Sequence, residues 1–181
     1  MMDRMGYGLI LVDVQRNMLE GESAVEGAAD FRGVLADLLD AARDADAAIV
    51  HVKNDGRRGD PDEPGTPGWE LVFAPLPGEP VIRKDAANAF ESNPALADVL
   101  RAMGVDTLVV AGLQSEYCVQ ATAIGALERG FDVIVPAGAH WTYDDGEPAA
   151  DIVERVTLDL IAAGVEVLEL DEVTFGQSAF G

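Results

Sequence analysis

Short apolar runs recur along this chain at nearly even spacing, and that rhythm limits its possible folds more than any other feature. Residues 7–14 (YGLILVDV), 47–52 (AAIVHV), 80–83 (PVIR), 107–111 (TLVVA), 131–136 and 165–170 each form such a run. Short continuous apolar runs bounded by turn residues read as strands buried on both faces. Helical spacing fills the intervals. Phe31, Val34, Leu35, Leu38, Leu39 and Ala42 lie on one stripe of a helix over 31–46. A second helix over 93–103 starts with Asn-Pro, a cap followed by a first-turn proline, and stops at Gly104. Two more, over 117–129 and 147–163, stop at Gly130 and Gly164. Strands alternating with helices predict an α/β fold of three layers, with a mostly parallel six-stranded sheet, helices on both faces and right-handed crossovers. There is no internal repeat and no dividing linker, so 1–181 reads as a single domain. Residues 54–78 break the rhythm, being rich in Gly, Pro and charge; a loop this long inside a compact domain is usually functional or disordered.

The chain carries 33 acidic against 12 basic residues, a formal net charge of −21. This does not signal disorder, because 49% of the residues are hydrophobic and disordered chains lack apolar residues. A domain this size buries roughly 70% of its unfolded surface and needs neither disulfide nor metal to hold a core. A strongly negative globule repels phosphate, which excludes nucleic acid and anionic membrane surfaces as expected partners. No stretch approaches the ~18 apolar residues of a membrane span, and residues 1–7 are too short and polar for a secretory signal; the expected location is the cytoplasm. The single cysteine, Cys118, allows no internal disulfide, CxxC pair or thiolate zinc cluster. The only lysines are Lys53 and Lys84. Acid-rich, lysine-poor surfaces suit work in high salt, where repulsion is screened; a GC-rich genome would produce the same bias.

In open parallel sheets ligands bind beyond the C-terminal strand ends. Asp13 closes the first run, and a carboxylate there needs a partner because burying it unpaired is costly; a helix cap or structural ion pair would serve equally. Lys84 closes the third run. A lysine retained where the chain otherwise uses arginine offers a compact, tunable charge, although a surface lysine is the plainer reading. Cys118 follows the fourth run near a helix start, which favours a thiolate, although a lone Cys is often just a small buried hydrophobe. Acid, base and thiol at one sheet edge make a constellation for nucleophilic attack on a carbonyl.

Three segments then stand in order: DVQ at 13–15, RKDAANAF at 83–90 and AGLQSEYCVQATA at 111–123. With them the chain, over about 7–170, resembles the isochorismatase-like cysteine hydrolases, the superfamily of nicotinamidases, N-carbamoylsarcosine amidases and isochorismatases. The resemblance implies a strand order of 3-2-1-4-5-6 and a catalytic triad of Asp13, Lys84 and Cys118. In that triad Cys118 attacks the carbonyl, Asp13 carries the thiol proton to the leaving amine, Lys84 fixes Asp13, and the helix end lowers the thiol pKa. It further implies a cis peptide between Leu113 and Gln114, an oxyanion hole from the Gln114 and Cys118 N–H groups, no cofactor, and a homodimer or homotetramer. Gln15, Phe90, Ser115, Trp141 and Tyr143 are the candidates to line a small-molecule pocket, the aromatics serving equally as packing.

The chain also departs from the family. Nicotinamidases of this family hold a metal on an Asp and several histidines, whereas this chain has only His51 and His140, without DxH or HxxxH spacing. No metal and no nicotinamidase activity are therefore expected. Neither GxGxxG nor a Walker run follows a strand, which argues against nucleotide binding. The expected activity is cofactor-free hydrolysis of a C–N bond in a small amide or ureide through a thioester. The alternatives are vinyl-ether hydrolysis of the isochorismatase type, on a branch where some members lack the cysteine, and a catalytically silent metabolite-binding protein. The acidic surface carries its own prediction: melting temperature and activity rise between low and molar KCl. A flat melting temperature would leave codon usage as the explanation for the charge.

Overall fold

In the computed structural model, which describes residues 6–176, the apolar runs are strands. They are β1 (Tyr7–Val12), β2 (Ala48–Asn54), β3 (Val81–Lys84), β4 (Thr107–Leu113), β5 (Asp132–Pro136), β6 (His140–Trp141) and β7 (Glu166–Leu168). The remainder of the expected 1–181 domain, residues 1–5 and 177–181, lies outside the described residues. Every strand pairing is parallel. The order is β3-β2-β1-β4-β5-β7, the expected one with β7 in sixth place.

The strand count is corrected from six to seven by β6. β5 is in register with β4 only through Val109, and β6 takes over the same edge at Gly112 and Leu113. Two residues are too few to carry a hydrophobic period, so the sequence pattern missed this strand.

Because side chains alternate across a strand, β1 feeds two cores. Ile10 and Val12 pack on one face with residues of α3 (Ala89–Ser92), α4 (Leu96–Ala102), α5 (Gln120–Glu128) and α6 (Ala149–Ala163). Leu9 and Leu11 pack on the other with Leu19 of α1 (Arg16–Leu19) and with α2 (Ala28–Asp44), which buries Phe31, Leu35, Leu38, Leu39 and Ala42. No helix among the described residues is long and apolar enough to cross a membrane.

Two helix readings are corrected. The helix expected from residue 93 begins at Leu96. Asn93 instead closes α3, its N–H bonding Ala89 O at 3.1 Å and its Nδ2 bonding Arg83 O at 2.8 Å. A residue before proline is disfavoured in a helix, so the Asn-Pro pair works here as a stop. The helix expected from 117 is preceded by a π-helical turn, Ser115–Val119.

The β3 edge is fastened by Glu79. Its carboxylate accepts from Arg43 Nε and Nη2 at 2.8 and 2.9 Å, His51 Nε2 at 2.8 Å and Leu76 N at 3.0 Å. Arg43 chiefly holds the Glu79 pKa down to about 2, from 4.5. Because the folded value is depressed, this stability is complete above pH 4.5 and is lost as pH falls toward 2. Glu79→Ala strands His51 and Arg43. It is expected to cost about 3 kcal/mol and to lower Tm by roughly 6–12 °C, with a flatter acid limb in denaturant titrations.

Candidate active site

Four strand ends deliver the site. Asp13 is the first residue past β1 and takes a left-handed φ of 51°, which Asp tolerates better than most residues. Its N–H bonds Val52 O at 2.9 Å. Gly112 faces Val12 in the β1–β4 register, with φ 132° and so little room that a Cβ would stand 2.1 Å from Val12 O. Only glycine lets β4 approach β1 this closely. Beyond β4 come the cis bond Leu113–Gln114, at the expected position, and then the turn bearing Cys118. Lys84 ends β3 directly opposite Asn54, which ends β2.

The Lys84 ammonium stands at the centre. Its Nζ lies 2.9 Å from Asp13 Oδ2, 3.1 Å from Asn54 Oδ1 and 3.2 Å from Cys118 Sγ. Three acceptors thus match its three N–H groups. Asp13 and Lys84 are each 2% exposed, while Cys118 is partly exposed. Asp13 Oδ1 is buried and has no hydrogen bond among the described residues. The three candidates, distant in sequence, therefore converge. Asn54 completes the cluster; no motif in the sequence singled it out, and only the register of β2 with β3 sets it opposite Lys84.

Burial raises the Asp13 pKa, and Lys84 only partly offsets that rise. Burial also works to lower Lys84, but the facing Asp13 and Cys118 outweigh it, and its pKa is raised. The thiol pKa is pushed up to about 12, by burial first and then by the Asp13 charge, against the pull of Lys84. The expectation that a helix end lowers the thiol pKa is thereby corrected. Cys118 is the fourth residue of its turn and faces a carboxylate. At rest the site pairs a protonated thiol with the Asp13–Lys84 ion pair, and thiol ionisation requires a local proton acceptor.

The pocket candidates fare differently. Gln15 is fully buried, and its amide is committed to backbone: Nε2 donates to Asn54 O and Trp69 O at 3.1 and 3.0 Å, and Oε1 accepts from Asn54 N at 2.8 Å. Phe90 is also fully buried and stacks on Phe131 in the core. Both are corrected from pocket lining to scaffold, since neither has a face left for a ligand. Trp141 and Tyr143 donate to Glu26 O and Ser23 O, each at 2.9 Å, and so tie down the segment between β1 and α2. Lys53 sits on the opposite face from Asn54, 3.2 Å over the Trp69 ring, with Glu70 at 3.4 Å. Among the described residues, no three His, Cys, Asp or Glu side chains gather as a metal ligand set. Three surface clefts of about 190, 350 and 390 Å³ are lined by residues other than the triad; within the triad Cys118 is the most exposed member.

Ser115 is fully buried and its Oγ meets His140 Nδ1 at 2.8 Å. His140 Nε2 meets Thr157 Oγ1 at 3.2 Å, and Thr157 donates to Val153 O at 2.7 Å. Thr157 has therefore spent its proton, so Nε2–H donates and Nδ1 accepts from Ser115. Burial lowers the His140 pKa to about 4, from 6.5, and keeps the ring neutral. Its stabilising share is complete above pH 6.5 and disappears as pH falls toward 4. His51, also lowered by burial, acts in the same direction. His140→Gln is expected to reduce, without abolishing, the fall in urea midpoint across that window; an unchanged fall would contradict the assignment.

The model of the isochorismatase domain matches residues 7–172. A streptothricin hydrolase of Streptomyces noursei is 44% identical over 168 residues, 91% of this chain but 60% of that protein. The chain thus spans less than two thirds of that relative's length. A secreted isochorismatase effector of Verticillium dahliae is 32% identical over 158 residues, 85% of this chain and 82% of the effector. Among solved structures, N-carbamoylsarcosine amidase from Thermoplasma acidophilum superposes with a TM-score of 0.77 at 27% identity, over 93% of this chain and 99% of that one.

Proposed function

The chain belongs to the isochorismatase domain family, and on that premise we propose that it is a cysteine hydrolase. It cleaves a C–N bond of a small amide or ureido substrate with Asp13, Lys84 and Cys118 as catalytic residues. The observation that carries this reading is the Lys84 ammonium, within 3.2 Å of both Asp13 Oδ2 and Cys118 Sγ.

The thiol proton passes to Asp13, whose Oδ1 is otherwise without a hydrogen bond, as Sγ attacks the carbonyl carbon. Lys84 holds the carboxylate beforehand and the charge on sulfur during attack. The Gln114 and Cys118 N–H groups receive the oxyanion. Asp13 returns the proton to the departing nitrogen, the C–N bond breaks and a thioester remains. Water then adds to the thioester with Asp13 again accepting a proton, which releases the acid and restores the thiol. The relatives' names, streptothricin hydrolase and N-carbamoylsarcosine amidase, make streptothricin and N-carbamoyl amines the first compounds to test.

The experiment is a screen of those compounds and other small amides and ureides, with mass spectrometry of the intact protein. Turnover is expected to disappear in Cys118→Ala and to fall by about 10³-fold in Asp13→Asn, with an acyl adduct on Cys118 of the wild type. Wild-type rates in Cys118→Ala would refute the reading. Since Asp13 must be ionised and burial raises its pKa above 3.8, activity is expected to fall on acidification at a pH higher than an ordinary aspartate would give.

A further inference from the structure

We infer that Asp62, in the loop between β2 and β3, is a positioning residue for the triad, acting through Asn54 to fix the atom that Lys84 meets. The inference rests on the proposed roles of Asp13, Lys84 and Cys118.

The Asn54 carboxamide lies between a cation and an anion. Its Oδ1 accepts from Lys84 Nζ at 3.1 Å, and its Nδ2 donates to Asp62 Oδ2 at 2.7 Å. Oxygen and nitrogen of an amide occupy nearly equivalent positions, so the partners alone decide which way it points. Reversed, it would press N–H donors on the ammonium and its oxygen on the carboxylate. Asp62 thus makes the oxygen-to-lysine orientation the favourable one. The Asn54 backbone is clamped on both sides by Gln15, from N at 2.8 Å and from O at 3.1 Å. Side-chain rotation is the freedom left to Asn54, and Asp62 removes it.

Asp62 is itself held. Gly56 N bonds Asp62 O at 2.9 Å. A Cβ at Gly56 would come within 2.1 Å of Asp62 Oδ1, so glycine makes the room for this carboxylate. Asp62 also reaches Asp13 through its charge, which adds to the rise in the Asp13 pKa; the other groups acting on Asp13 are Lys84 and Cys118. A single loop carboxylate therefore orients the third acceptor of Lys84 and increases the basicity of Asp13 without touching Lys84 or Asp13.

Cys118 is the only cysteine, so its alkylation by iodoacetamide, followed across pH, tests this without a substrate. In Asp62→Ala, Asn54 is free to rotate and Lys84 loses a fixed acceptor; alkylation is expected to slow about tenfold. Asp62→Asn keeps an oxygen for Asn54 Nδ2 and is expected to recover most of that rate. In Asp62→Asn the acid limb is nevertheless expected at lower pH than in wild type, because Asp13 ionises more easily without the neighbouring charge. Wild-type rate and profile in Asp62→Ala, or an Asp62→Asn no faster than Asp62→Ala, would overturn the inference. Failure of the hydrolase reading has a separate signature, undiminished turnover in Cys118→Ala, whereas the alkylation series reads the Asp62–Asn54–Lys84 link in either case.

Discussion

The buried ammonium of Lys84 is the constraint on which the rest of the site depends. A cation this far from water is tolerable only when every N–H finds an acceptor and an anion lies close by. Asp13, Asn54 and Cys118 meet that requirement. Meeting it forces four strand ends to finish together. The β2–β3 register sets Asn54 opposite Lys84, the left-handed turn at Asp13 brings in its carboxylate, and the close β1–β4 approach at Gly112 brings up the turn that carries Cys118.

The same burial shapes the proposed chemistry. Removing water penalises every charge in the cluster, and the ammonium compensates unequally. Asp13 and the thiol both move up, the thiol to about 12. A ready-made thiolate at the fourth residue of its turn would stand beside a carboxylate, which is an expensive neighbour for a second anion. A thiol facing a carboxylate avoids that repulsion, and proton transfer and attack then belong to one event.

The long loop between β2 and β3, read from the sequence as residues 54–78, belongs to this architecture. Gln15 fastens it at Trp69 O, Asn54 at Asp62, and the Trp69 ring lies under Lys53 with Arg83 5.1 Å from its centroid. Its Gly and Pro content marked it as functional or disordered, and the structure gives it fixed contacts. The two lysines illustrate how far rarity can be read. Both were conspicuous in an arginine-using chain and both are nearly buried, yet only Lys84 meets Asp13 and Cys118. Lys53 is one residue before Asn54, and a period of two sends it to the other face, where it covers an indole.

The sequence by itself determined the layers and the parallel sheet, because apolar period and run length report burial directly, and its resemblance to a family implied the strand order. It also determined Asp13, Lys84 and Cys118 as candidates, because strand ends in a parallel sheet share one edge and three ordered segments matched a family. Tertiary structure decided what depends on atoms meeting across the fold. It showed β6 as a two-residue strand too short for any period, and Asn-Pro as the end of one helix instead of the start of the next. It withdrew Gln15 and Phe90 from the pocket, since a side chain's type does not reveal whether backbone or core has already claimed it. It gave Asn54 and Asp62 their places, and it set the thiol pKa, because burial and the direction a carboxylate points are properties of packing that no spacing along the chain records.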